Sequence, residues 1–350
     1  MDFAERVSDE FPEMDVLSDY WDNRPELPPE LIAGVLRQGH KMLISGASKA
    51  GKSFMLMELC IAIAEGTSWL GLKCKKGRVL YVNLEIDPAS AICRFMNIYE
   101  TLGIKMANAK NIVIWNLRGH AVPLDQLVPK LNRRLRHQNF DAIIIDPIYK
   151  VITGDENNAS EMGYFCNQFD RICDTIGSSV IYCHHHSKGM QGAKRAMDRA
   201  SGSGVFARDP DAQLDIIQLE LSDDVKNNIR DGHATAWRME SSLREFANIE
   251  PINFWFEYPI HRLDNSGVLE TCNTEGSFEA ARAKNRKTTT PEERKASLDS
   301  AFEACSIEQP ITIDAMAEYI ADTPRCVTDR RNEFKKDYWC KGGIVGKVNK

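Results

Sequence analysis

The chain has 350 residues and a formal net charge of −6 at pH 7, from 44 Lys and Arg against 50 Asp and Glu. Apolar residues make up 43% of the chain and charged residues 27%, an ordinary globular balance, and the length favours one large domain with a smaller one. No segment approaches the run of about 18 apolar residues that spans a bilayer, and the acidic N-terminus lacks the apolar segment of a signal peptide. We therefore expect no membrane contact and a cytoplasmic location, with the ten scattered cysteines as reduced thiols.

The first 33 residues are acidic and contain several prolines, which predicts an irregular N-terminal arm over 1–33. From Lys41 onward short apolar strands alternate with amphipathic helices, and this predicts an α/β domain with a mostly parallel sheet and helices on both faces. Predicted strands cover 41–45, 78–84, 111–115, 141–146 and 179–184, and predicted helices lie near 52–65, 88–102, 124–136 and 160–176. Three later strands, at 212–221, 235–240 and 253–258, predict an antiparallel extension of the sheet.

Residues 282–296 are polar and basic, with few large apolar groups. They predict a linker between a main domain at 34–281 and a small domain at 297–350. Within the C-terminal segment, two helix patterns, a third and basic helix pattern, and a hairpin turn at Gly342-Gly343 follow in that order. This order predicts a winged-helix-like unit.

Residues 46–53 match the pattern G-x-x-x-x-G-K-[ST] between a predicted strand and a predicted helix, the context in which such a loop cradles phosphates. Backbone N–H groups and the helix N-terminus would face the phosphate oxygens, Lys52 would reach the β- and γ-phosphates, and Ser53 would ligate Mg²⁺. We therefore predict ATP and Mg²⁺ as ligands. The predicted nucleotide-binding residues are Gly46, Ala47, Ser48, Lys49, Ala50, Gly51, Lys52, Ser53 and Phe54.

Two acidic residues end predicted strands on the expected ligand-binding edge of the sheet. Asp146 closes the apolar run at 142–145 and is a candidate Mg²⁺-binding carboxylate, with a capping role before Pro147 as the alternative. Glu85 closes the strand before it and could polarise a water that attacks the γ-phosphate, with a surface acid as the alternative.

Three adjacent histidines, His184, His185 and His186, end a further strand. Neighbouring residues on an extended chain point to opposite faces, which argues against all three binding one metal ion. A polar group at this position could instead hydrogen-bond the γ-phosphate and report its loss to the basic loop at 187–203. That loop is predicted either to contact a nucleic-acid strand or to be a solvent loop.

These residues together resemble the plasmid RepA-type hexameric helicases, within the RecA-like P-loop ATPases. The resemblance covers about 34–260 and rests on GASKAGKS, on VNLEID at 82–87, on IIIDP with GDENN at 154–158, on HHHSKG at 184–189, and on SGSG at 201–204. It implies a RecA-like core, a ring usually of six subunits with ATP between neighbours, single-stranded DNA as partner, and replication partner proteins.

The resemblance also implies roles for individual residues. It implies Glu85 as catalytic base, Asp146 as Walker B acid, and His184 or His185 as γ-phosphate sensor. It further implies an arginine finger from the adjacent subunit, for which Arg208 is favoured over Arg199.

DNA contacts are predicted from charge alone. The candidates are Lys188, Lys194 and Arg195 in the loop and Arg330, Arg331 and Lys335 in the C-terminal unit. For the C-terminal unit, DNA contact and docking of a subunit or partner protein are equal alternatives.

The leading hypothesis is a ring motor on single-stranded DNA, as in a replicative helicase of a plasmid, phage or mobile element. A RecA-like ATPase without unwinding activity, such as a recombinase, loader or switch, is the second hypothesis. A P-loop small-molecule kinase and a non-enzymatic DNA-binding regulator are weaker alternatives.

Overall fold

A computed structural model describes residues 14–48, 50–135, 138–152, 154–156, 158–186, 199, 204–221, 225, 233–275, 291–306, 310–320 and 322–348. The strands of the main domain are β1 (Glu30–Ile32), β2 (Leu36–Arg37), β3 (Lys41–Gly46), β4 (Ser68–Trp69), β5 (Leu72–Lys73), β6 (Val79–Asn83), β7 (Ile112–Asn116), β8 (Ala142–Asp146), β9 (Ser179–His185), β10 (Ala212–Glu220), β11 (Thr235–Leu243), β12 (Ile252–Glu257), β13 (Ile260–Leu263) and β14 (Asn273–Thr274). Its helices are α1 (Lys52–Glu65), α2 (Pro88–Leu102), α3 (Leu124–Leu135), α4 (Ala159–Ile176) and α5 (Gly204–Arg208).

The central sheet is mixed, as the sequence predicts. Its order is β13-β12-β11-β10-β3-β9-β8-β6-β7, with β14 paired to β10. The six strands from β10 to β7 in that order run parallel, whereas β11, β12 and β13 are antiparallel to their neighbours. The strand β13 is absent from the sequence prediction because its four residues, IHRL, show no continuous apolar pattern.

Helices cover both faces of the sheet because successive strand residues point to opposite sides. On β3, Ile44 packs in the core cluster that contains α1 and α2, and its neighbour Leu43 packs in the cluster that contains α3 and α4. Helix α1 is buried over most of its surface and lies between the sheet and α2. The phosphate-loop helix is therefore held by the core.

The predicted arm over 1–33 is wrong at its C-terminal end. Residues 30–32 form β1, which pairs with β2, and Leu31 and Ile32 are fully buried. The physical reason is that this apolar pair directly follows Pro28-Pro29, so irregular structure ends where the chain can bury side chains. Residues 14–29 are exposed and include a short 3₁₀ helix, Leu17–Tyr20.

The C-terminal segment has its own core. It contains α6 (Pro291–Cys305), α7 (Ile313–Ile320), α8 (Pro324–Glu333) and a hairpin of β15 (Tyr338–Lys341) and β16 (Ile344–Lys347). Leu298, Met316, Val327 and Tyr338 are fully buried together. The predicted order of elements is observed, and the winged-helix assignment stays a prediction.

The predicted linker over 282–296 is too long at its end. Residues 291–296 are helical because Pro291 occupies the first turn of α6, where a missing N–H is tolerated. Among the residues described, no helix has the length and apolar character needed to cross a bilayer.

A buried acid–histidine pair ties α1 to the antiparallel end of the sheet. Glu58 and His261 are both 5% exposed, and the His261 Nδ1 lies 2.6 Å from Glu58 Oε1. The backbone N–H of His261 also donates to both carboxylate oxygens of Glu58, at 3.1 and 3.3 Å. Removal of the carboxylate would leave buried donors unsatisfied.

We predict that Glu58→Ala lowers the free energy of unfolding by about 3–5 kcal/mol, because it strands one partner of a buried polar pair. Glu58→Gln keeps an acceptor oxygen and should lose less. The measurement is urea unfolding followed by circular dichroism, with the exposed Glu100→Ala on α2 as control, expected within about 0.5 kcal/mol of wild type. Equal stabilities of Glu58→Ala and Glu100→Ala would contradict the prediction.

Candidate active site

The phosphate loop joins β3 to α1, in the context predicted from the sequence. Gly51 caps α1 with a left-handed backbone, φ +75°, which favours glycine. A Cβ at Gly51 would also lie 3.0 Å from His261 Nε2, so space as well as backbone conformation requires glycine here. Of the predicted nucleotide-binding residues, Lys49 lies outside the described residues.

The Lys52 ammonium is turned into its own loop. Its Nζ donates to the carbonyl oxygens of Gly46 at 2.8 Å and Ala47 at 2.7 Å, and lies 3.3 Å from His185 Nδ1. Burial lowers the pKa of Lys52, and the nearby charges of Asp146 and Glu85 oppose that shift. The two carboxylates thus act electrostatically on the loop lysine, which places them within reach of its field.

Asp146 ends β8 and is 2% exposed. Both of its carboxylate oxygens accept a hydrogen bond, Oδ2 from the Tyr81 hydroxyl and Oδ1 from Cys183 Sγ at 3.1 Å. Burial, and then the charge of Asp146, raises the pKa of Tyr81 and of Cys183, so both groups stay protonated donors. Asp146 is therefore held in one orientation by two neighbouring strands, β6 and β9.

Glu85 follows β6 at the same edge of the sheet, and its backbone is fixed by Asn83. The fully buried Asn83 side chain accepts from the N–H groups of Glu85 at 3.3 Å and Ile86 at 2.9 Å, and it donates to Asn116 Oδ1 at 2.7 Å. The Glu85 side chain is exposed and accepts from the Tyr149 hydroxyl at 3.1 Å. A clamped backbone with an accessible carboxylate suits a group that must meet water.

The histidines alternate between the two faces of β9, as extended geometry predicts. His185 faces Lys52, and its ring centroid lies 5.7 Å from that of Tyr149. Burial and the charge of Lys52 lower the pKa of His185. A neutral His185 can accept from Lys52 through Nδ1 and keep Nε2–H as a donor.

His184 is not brought to the phosphate loop. It is 3% exposed, its ring packs edge-on against Phe206 at 5.1 Å, and its Nε2 lies 3.4 Å from Glu156 Oε2. The reason is the strand alternation that sends His185 to the opposite face. Of the two predicted sensor residues, His185 is therefore the one placed beside Lys52.

The two arginines considered for an arginine finger have different environments. Arg208 is exposed at the end of α5, immediately before Asp209, whose carboxylate binds Lys41 Nζ at 2.8 Å. Lys41 begins β3 and Gly46 ends it, so about 16 Å of strand separates this edge from the phosphate loop. Arg199 is 4% exposed and its Nη1 binds Asp215 and Glu240, each at 2.7 Å.

The predicted DNA contacts are only partly described. Lys188, Lys194 and Arg195 lie outside the described residues. On α8, Arg330 binds Asp322 at 2.7 Å, and Glu333 binds Arg294, so part of the basic face is neutralised within the unit. Lys335, after α8, is exposed, and Arg331 is partly buried.

Sequence reasoning did not identify Tyr81, Cys183 or Asn83 as site residues. Each lies on a buried strand next to a predicted site residue. The available indication was a polar side chain within an apolar run near the ligand-binding end of a strand, which is costly unless the group is bonded.

Two comparisons relate the chain to known proteins. A family model described as AAA domain matches residues 7–191, more than half of the chain. A solved structure of a protein's ATPase domain is similar with a TM-score of 0.43 and 11% sequence identity, covering 62% of this chain and 81% of that chain. From the family match, and from the phosphate loop at the edge of a parallel sheet, the chain belongs to the AAA domain family and is a P-loop ATPase with a RecA-like core.

Proposed function

We propose that the chain is an ATP-driven motor on single-stranded DNA that works as a homo-oligomeric ring, as a replicative DNA helicase of a plasmid, phage or mobile element does. The observation that carries the proposal is the meeting of Lys52, Asp146, Glu85 and His185 at one edge of the sheet, with an exposed Arg208 at the other. The first set suits hydrolysis of a triphosphate, and the second suits completion of a neighbouring site.

The donor set fits Mg²⁺-ATP. An ammonium (Lys52), a hydroxyl (Ser53) and a carboxylate (Asp146) are the groups that phosphates and Mg²⁺ require. Lys52 would exchange its two carbonyl contacts for phosphate oxygens, which are stronger acceptors for a charged donor. Ser53 and Asp146 would hold Mg²⁺, which neutralises charge on the β- and γ-phosphates when it is bound.

Glu85 is the proposed base. Its exposed carboxylate can accept a proton from water, while Asn83 and Tyr149 fix its backbone and side chain. His185, between Lys52 and Tyr149, is the proposed sensor of the γ-phosphate because it contacts the lysine that binds that group.

Arg208 is the proposed finger. It lies about 16 Å of strand away from its own phosphate loop and is exposed, so it would serve the site of an adjacent subunit. Such an arginine stabilises charge that develops on the transferring phosphoryl group.

The DNA partner is supported by the ordered motif set and by exposed basic groups such as Lys335 and Lys336. The neutralisation of Arg330 by Asp322 favours the docking alternative for the C-terminal unit. An ATPase that ignores DNA would be the second hypothesis, a RecA-like ATPase without unwinding activity.

We predict that the wild-type chain hydrolyses ATP and that single-stranded DNA stimulates turnover. Lys52→Ala should lose turnover by about 100-fold or more, because the phosphates lose their fixed charge. Phosphate release with and without oligonucleotide measures both effects. Turnover unaffected by single-stranded DNA would favour the second hypothesis, and turnover retained in Lys52→Ala would remove the proposed site.

Glu85→Gln should bind ATP with unchanged affinity but lose hydrolysis by about 100-fold or more, since the amide cannot accept a proton. Fluorescent-nucleotide titration measures binding, and phosphate release measures turnover. The matched control is the exposed Glu100→Gln on α2, which should keep wild-type rates. Full activity in Glu85→Gln would exclude Glu85 as the base.

Arg208→Ala should lose turnover by about 1,000-fold, the usual scale for an arginine finger. Coexpression with Lys52→Ala should restore activity to roughly one quarter of wild type, because random mixing pairs an intact phosphate loop with an intact finger at one interface in four. Arg133→Ala, an exposed arginine on α3, is the control and should keep full activity. Absence of recovery in the mixture would exclude Arg208 as a finger in trans.

A further inference from the structure

A carboxylate that the proposed reaction does not use is buried beside the phosphate loop. Asp215 lies on β10, next to β3, and is 0% exposed. It accepts from Ser45 Oγ at 2.6 Å and Arg199 Nη1 at 2.7 Å, and His186 Nε2 lies 2.9 Å away. Its neighbours Leu214 and Ile216 are fully buried and apolar, so Asp215 interrupts an otherwise apolar core strand.

Two of the partners of Asp215 flank the phosphate site. Ser45 directly precedes Gly46, the first residue of the phosphate loop, and is the register partner of Asp215 across the parallel pair. His186 directly follows His185, and its backbone N–H donates to the Gly46 carbonyl at 3.2 Å. One carboxylate thus joins the entrance of the loop to the strand end that carries His185.

The third partner compensates the buried charge. Arg199 is 4% exposed and its Nη1 also binds Glu240 on β11 at 2.7 Å. A buried carboxylate needs such a cation, because removal from water is costly without one. The guanidinium is committed within its own subunit, which is not the environment of a finger that reaches a neighbour.

Stability alone does not require this cluster, since replacement of buried ion pairs by apolar residues is often neutral or stabilising. We propose that Asp215 is a positioning residue for ATP hydrolysis, which acts through Ser45 and His186 on Gly46 and His185, with Arg199 as its counter-ion. The inference rests on the proposed ATPase function. Small displacements of groups around a reacting centre lower rates far more than they lower ligand affinity.

Asp215→Asn keeps the size of the side chain and removes its charge. Turnover should fall by about 10- to 100-fold, while the Kd for ATP, measured by fluorescent-nucleotide titration, stays within about threefold of wild type, because the groups that touch phosphate are unchanged. The matched control is Asp141→Asn at the opposite edge of the sheet, where the carboxylate accepts from the Arg78 N–H at 2.8 Å. That variant should keep the wild-type turnover number.

A second variant covers the case in which Asp215→Asn does not fold. Ser45→Ala removes one neutral donor to Asp215 and should lower turnover by about three- to tenfold with unchanged Kd. Wild-type turnover in a folded Asp215→Asn, or in Ser45→Ala if the first variant does not fold, would overturn the proposal. An equal loss of turnover and affinity would overturn it as well, because that pattern indicates a damaged site.

The role of Arg199 is tested by mixing. Arg199→Gln should lower turnover, and coexpression with Lys52→Ala should not restore it, in contrast to an arginine that acts in trans. Recovery in that mixture would overturn the assignment of Arg199 as a counter-ion. Absence of ATP hydrolysis by the wild-type chain would instead defeat the proposed function itself, so the two failures are distinguishable.

Discussion

The candidate site depends on the register of the parallel strands. Gly46 on β3 lies opposite His185 on β9, and Asn83 on β6 lies opposite Asp146 on β8. Because parallel strands end at the same edge, residues far apart in the chain meet there without a dedicated loop. A slip of one residue between β3 and β9 would turn His185 to the opposite face and bring His184 or His186 beside Lys52.

The charges at this edge are held by neutral partners. Asp146 has a protonated hydroxyl and a protonated thiol on its two oxygens, and Lys52 has two carbonyl oxygens and one imidazole. Neutral partners fix the direction of a charged group without cancelling its charge. Both groups thus stay electrostatically available to a ligand, whereas Asp215, which faces a guanidinium, is compensated inside the protein.

Much of this arrangement is predictable from the sequence because it rests on local patterns. Strand periodicity locates β3, β8 and β9, and the position of an acid after each apolar run identifies Asp146 and Glu85. The loop pattern is equally local, since Gly51 must adopt a left-handed backbone just before Lys52.

The residues that sequence reasoning misses act through contacts between distant segments. Tyr81 meets Asp146 across 65 positions of sequence, and Ser45 meets Asp215 across 170. Neither partner carries a local pattern that names the other. Arg330 is a further case, because its basic character indicates DNA contact until the fold pairs it with Asp322.

The two edges of the sheet have different tasks under the proposed function. The phosphate loop and the exposed Arg208 belong to opposite edges of one chain, so the two surfaces that would meet in an assembly are different from each other. Contacts of this head-to-tail kind form a closed ring when the rotation between neighbours closes, and an open filament when it does not. The same pair of surfaces therefore accommodates a ring helicase and a filament-forming recombinase. The rotation between neighbouring subunits, rather than the chemistry of the site, separates these two functions.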